Sequence, residues 1–209
     1  MNSETVPLVW MGLAFGVAAI LALAVLTTLG FDTQSLGAAL RVTARWSFLL
    51  FWLAYAGGPS AALFGQSFVP LARSGRTLGL AFAAAHLVHV GLVVWLYRIS
   101  AKPPLSDSLF AFFALGLVCI YTLAILSFGG LSQALGPRWW RRVRFVAMNY
   151  ILLAFARDFV PAGIHSASLA KGYAHFVAYA PFAALSIAAP LLAIAAAARR
   201  RQPERHAVA

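Results

Sequence analysis

The chain has 209 residues, 62% of them hydrophobic and 10% charged, with a formal net charge of +11. That composition excludes an ordinary soluble globular domain. A single cysteine, Cys119, excludes an internal disulfide and a cysteine metal cluster.

A bilayer core of about 30 Å takes about 20 apolar residues of helix. Six stretches reach that length, at residues 6–29, 39–56, 78–96, 109–129, 143–160 and 172–198. Each is continuously apolar rather than alternating, so helices are expected and barrel strands are not. The first stretch has no basic segment ahead of it and exceeds a signal-peptide core, so it reads as a retained helix. Its Gly12-x-x-x-Gly16 spacing suggests a packing face. After the second stretch, Gly57-Gly58-Pro59 opens the longest piece expected to be non-helical, up to Arg76. The third carries His86 and His89. Cys119, in the fourth, is expected to be a small core residue. Trp139 and Trp140 lie among Arg138, Arg141 and Arg142 where the fifth begins, which reads as a lipid-headgroup anchor or as a docking patch for a soluble partner. His165 is expected in the loop that follows. Pro190 should kink the sixth stretch, and His206 belongs to the tail after Ala198.

The basic residues follow the loops. One side of the membrane receives Arg73, Arg76, Arg138, Arg141, Arg142, Arg144, Arg199, Arg200, Arg201 and Arg205. The other receives Arg41, Arg45, Arg98, Lys102, Arg157 and Lys171, so the division of the 16 is ten to six. The positive-inside bias then places both termini in the cytoplasm. The excess charge serves topology and attraction to membrane lipid, and no nucleic-acid partner is expected. Usage rich in Ala, Leu and Arg and poor in Lys points to a bacterium with a GC-rich genome, hence its inner (cytoplasmic) membrane.

Little chemistry is available inside these stretches. The acidic residues are Glu4, Asp32, Asp107, Asp158 and Glu204, and only Asp158 touches an expected helix, at its end. Paired-carboxylate catalysis and carboxylate-lined transport lack their parts, and no phosphate-binding glycine loop is present. The histidines remain, because an imidazole within the bilayer is costly unless partnered. His86 and His89 are three residues apart and share one helix face. His89 lies about 20 Å along the helix from Arg76. His175, four residues past Lys171, enters from the opposite side to roughly 6 Å depth, so His89 and His175 reach comparable depth. Two imidazoles from different helices ligate a haem iron axially, whereas two alone do not fill a tetrahedral metal site. The alternative is that His86 and His89 bond a neighbouring carbonyl or hydroxyl and serve as packing glue.

Three blocks resemble the ferric reductase-like transmembrane family, in particular the six-helix haem-binding membrane subunit of the bacterial periplasmic methionine sulfoxide reductase system. Thr43-Ala44-Arg45, an apolar run and Pro59 resemble the family's T-G-R opening of its second helix. Arg73-Ser-Gly-Arg76-Thr-Leu78-Gly79, with His89 ten residues on, resembles the basic segment leading to the haem-ligand histidine of the third helix. Leu126-Ser-Phe128 and Leu135-Gly136-Pro-Arg138-Trp139-Trp140-Arg141-Arg142 resemble the approach to the fifth helix. The family's two histidines on that helix are absent: the positions fall on Val143 or Arg144 and on Ala156 or Arg157. The resemblance implies an all-α membrane protein, a six-transmembrane-helix bundle of ferric reductase-like topology and a single domain over residues 1–209. It implies a membrane electron-transfer subunit, and hence an oxidoreductase component, binding at most one haem b. His89 is the matched iron ligand. To it the residues add His175 as the trans ligand, His86 as a neighbouring or alternative ligand, and Arg157 as a partner for a haem propionate. Electrons would come from a quinone, a flavin or a separate soluble or periplasmic redox protein. The alternatives are a haem-free relative acting in assembly or interaction, and a small-solute transporter.

Overall fold

The computed structural model describes residues 5–128, 131–167 and 173–206, with the backbone alone at 132, 165–167, 173–176 and 201–206. Among these residues the chain is all-helical. Its helices are α1 (Thr5–Leu29), α2 (Thr33–Phe64), the short α3 (Val69–Arg73), α4 (Gly75–Ile99), α5 (Asp107–Ser127), the short α6 (Leu131–Ala134), α7 (Gly136–Ala167) and α8 (Tyr173–His206). Six of them are long and apolar enough to cross a membrane. Many large apolar side chains face outward, for example Ile20 at 68% and Phe145 at 70% exposure, while the buried positions include 13 Ala and five Ser or Thr beside 12 Leu, Ile and Phe. Small residues inside and large apolar ones outside are what helix packing in lipid favours. The chain is a multi-pass membrane protein whose outer surface contacts lipid.

α1 and α5 lie within two residues of their expected bounds, whereas α2, α4, α7 and α8 are longer than expected. The piece from Gly57 to Arg76 is largely helical: α2 runs through Pro59 to Phe64, a 3-10 turn covers Gln66–Phe68, and α3 follows. The Arg199 guanidinium donates to the carbonyls of Ala62 and Leu63, giving the last turn of α2 the partners it would otherwise lack. Arg41 and Arg45 lie inside α2, as the expected stretch 39–56 already had them. Arg157 lies well inside α7, and His165 belongs to its last turn instead of a loop. His206 belongs to α8, which continues without a break past Pro190 and Ala198. Asp107 opens α5, so Asp158 is not the only acidic residue on a helix. A carboxylate there complements the helix dipole.

The chain divides into two compact units, residues 1–51 with 76–151 and residues 52–75 with 152–209. In the first, α1 buries Pro7 and then Ala14, Ala18, Ala22 and Leu26, one every four residues. A Cβ on Gly12 or Gly16 would meet nothing within 4 Å, so the expected glycine face is not where α1 packs in this chain. The alanine stripe does that, and Trp46 Nε1 donates to the Ala14 carbonyl at 3.1 Å. Gly30, at φ 108°, ends α1 where other residues are strained. Asp32 then caps α2, its carboxylate accepting the Ser35 N–H at 2.8 Å. Hydrogen bonds from Ser35, the backbone one foremost, hold the Asp32 carboxyl below the ordinary carboxylate range. Arg76 Nε donates to the Ser127 carbonyl at 3.0 Å, capping α5 from the start of α4. Trp139 is exposed in the first turns of α7 with Arg142 over its ring at 5.2 Å. Cys119 is half-buried.

The second unit holds the end of α2, α3, the last turns of α7 and α8. Phe159 is buried between Phe155 and Phe182, with ring centroids at 5.9 and 5.3 Å. A Cβ on Gly163 would come within 2.7 Å of the Ala183 Cβ, so α7 and α8 cross there at backbone distance. Trp52 Nε1 donates to the Leu185 carbonyl at 2.9 Å, in the turn before Pro190, where a proline loosens the helical ladder.

Candidate functional site

The polar interior of the first unit lies between α2 and α4. On α2, Thr43, Ser47 and Phe51 follow at four-residue spacing, and each is wholly buried. On α4, Phe82, His86 and His89 occupy one face. The helices run antiparallel, with Thr43 Oγ1 3.1 Å from His89 Nδ1 at one end and the Phe51 and Phe82 rings 5.3 Å apart at the other. Along α4 the rings form a ladder: Phe82 meets His86 edge-on at 5.7 Å, and His86 lies 5.3 Å from His89 at 37°.

The hydrogen bonds of Thr43 favour one tautomer of His89. The Thr43 hydroxyl donates to the Ala39 carbonyl at 2.9 Å, with the Leu40 carbonyl at 3.2 Å as second acceptor. Its hydrogen is spent inside its own helix, so its oxygen accepts from His89. In that arrangement the proton of His89 is on Nδ1 and Nε2 carries the lone pair. This assignment follows from the hydrogen-bond pattern. His86 differs, because its Nδ1 is buried without a hydrogen-bond partner. Ser47 Oγ and the hydroxyls of Tyr97 and Tyr121 are buried and unpartnered as well.

A histidine with one ring nitrogen held by a hydroxyl has the arrangement that orients metal-ligating imidazoles. Were a haem bound, His89 would be the residue to hold its iron. His86 cannot take the opposite position with His89, because two imidazoles from one helix face cannot stand on opposite faces of one porphyrin. No three His, Cys, Asp or Glu side chains group together among the described residues, so the donor set for a tetrahedral metal is not found there.

Of the residues singled out from sequence, His86 and His89 come together on this face. His175 falls in the first turn of α8, and its side chain lies outside the described residues, as do those of His165 and His206. Arg157 is exposed on α7, in the second unit. Thr43 was legible as part of a motif and not as the partner of a histidine; Ser47 and Tyr121 gave no signal of their own. The signal available was the four-residue spacing of two hydroxyls in an apolar run, matching the three-residue spacing of two histidines. The hydrogen bond to Thr43 is also what a packing role would give His89. No family model matches the chain, and no curated protein or solved structure matches it significantly.

Proposed function

We propose that the chain is an integral-membrane electron-transfer subunit of ferric reductase-like type, holding at most one b-type haem, with both termini in the cytoplasm. The observation that carries this reading is the Thr43–His89 hydrogen bond, which engages Nδ1 and makes Nε2 the candidate ligating nitrogen. A bound haem supplies one-electron chemistry. The residues of the chain do the rest. His89 would bind the group, Thr43 would hold its ring orientation, and Phe51 and Phe82 would supply apolar surface at the other end of the ladder. In this reading the electrons come from a quinol, a reduced flavin or a partner protein.

Titration of the purified full chain with haem tests the proposal. It should saturate at no more than one haem per chain, and the bound haem should be reduced by dithionite and by reduced flavin or quinol. Bound haem that accepts electrons from neither biological donor would defeat the electron-transfer reading. A second reading, a haem-free subunit acting in assembly, is favoured by one observation: both described histidines within a span sit on a single helix, 5.3 Å apart. Failure to bind haem selects it.

A further inference from the structure

The antiparallel ladder between α2 and α4 has a middle rung that does not close. Thr43 bonds His89 on one side and Phe51 meets Phe82 on the other. Ser47, one turn from Thr43 and one turn from Phe51, therefore stands level with His86. Yet Ser47 Oγ and His86 Nδ1 are both buried and unbonded, and Ser47 is wholly inaccessible. A third orphan comes from α5. That helix runs antiparallel beside α4, tied by Arg76 Nε to the Ser127 carbonyl and by the Tyr97 and Phe110 rings at 5.8 Å. Tyr121 lies about a third of the way from the first tie to the second, level with the turn from Phe82 to His86. Its hydroxyl is buried without a partner.

Three helices thus bring three neutral, unsatisfied groups to one level near the middle of α4. Leaving such groups unbonded costs more in the membrane interior than at a surface. No hydrogen bond joins any two of them, so a partner common to all three would be a further molecule. A single oxygen that both donates and accepts serves all three, and a buried water needs two to four polar partners. We propose that Ser47, His86 and Tyr121 hold a resident water molecule within the membrane span, at a site of the chain's own. The inference does not rest on the haem reading: Ser47 and Tyr121 have no part in it, and His86 is there a neighbour of the ligand.

The sign of a stability change decides the matter. With a bridging water, Ser47→Ala and Tyr121→Phe each remove a real hydrogen bond, and each should lower the melting temperature of the detergent-solubilised chain by about 2–4 °C. The double variant should fall by less than the sum, because both substitutions act on the same water. Melting temperatures that stay level or rise, as relief of an orphaned hydroxyl gives, would overturn the proposal, and so would strict additivity. X-ray hydroxyl-radical footprinting of the unsubstituted chain in 18O-labelled water provides a second reading that needs no variant. Tyr121 should take up label, with exposed Trp139 as the positive control. Labelled Trp139 with unlabelled Tyr121 would equally overturn it.

Discussion

Replacing Thr43 by valine keeps the volume and branching of a wholly buried side chain and deletes only the oxygen that His89 meets at 3.1 Å. Hydrogen bonds between membrane helices are worth about 0.6 kcal/mol on average and up to about 1.7 kcal/mol. A buried N–H left without its acceptor adds a penalty in the range of about 1–3 kcal/mol where nothing replaces it. The apoprotein should therefore lose about 1 kcal/mol or more, seen as a melting temperature about 2–4 °C lower per kcal/mol. The effect on a ligand at Nε2 should be larger relative to its cause. Freed from Thr43, the imidazole samples the other tautomer, which places a proton on the donor atom, and loss of such an orienting partner typically weakens metal binding 10- to 100-fold. Two assays read this. Nitrogen-15 NMR of histidine-labelled protein should show His89 protonated at Nδ1 in the natural chain and mixed in Thr43→Val, and haem titration should show the loss of affinity. A natural chain with His89 protonated at Nε2, or a valine variant that binds haem unchanged, would refute the reasoning.

Three further outcomes are expected. A reporter fused after Arg205 should read cytoplasmic and one inserted at Lys171 external, because basic residues divide ten to six in favour of the termini side; the reverse pattern overturns the orientation. Gly163→Ala should lower the melting temperature, because its Cβ would stand 2.7 Å from that of Ala183. The overpacking cost of about 1–3 kcal/mol exceeds or matches the gain of about 1 kcal/mol in helix propensity. Ala183→Gly added to it should restore stability, and a stabilised single variant would show that the crossing is looser. Asp32, whose carboxyl is held below its ordinary range by Ser35, contributes stability that is present above the unfolded pKa and lost as pH falls through the lower folded one. Melting curves from pH 6 down to pH 3 should therefore fall less steeply in Asp32→Asn, and identical slopes would remove Asp32 from the acid response.

The six spans were legible because runs of apolar residues matched to bilayer thickness are a strong signal, and all six recur as helices. Their ends were not. Pro59 and the glycines before it read as a break, but the carbonyls at the end of α2 are capped by Arg199, 136 residues away in sequence from Leu63. No local rule carries that information. Gly12 and Gly16 matched a packing motif, yet the alanines at 14, 18 and 22 form the buried stripe, since any small residue permits close approach. The two histidines of α4 announced themselves by their cost in lipid. Thr43 did not, because a threonine in a membrane helix satisfies itself against its own backbone, as this one also does through Ala39. Only the antiparallel register of α2 and α4 reveals that its oxygen is shared with His89.

The central claim rests on one atom, and an optical spectrum tests it. The full chain, expressed with adequate haem supply and purified in mild detergent, should show a Soret band and b-type bands on reduction. The spectrum should be abolished or strongly weakened in His89→Ala, which removes the donor nitrogen, and only shifted in His86→Ala. A colourless natural chain under those conditions, or a normal haem spectrum in His89→Ala, would contradict the account.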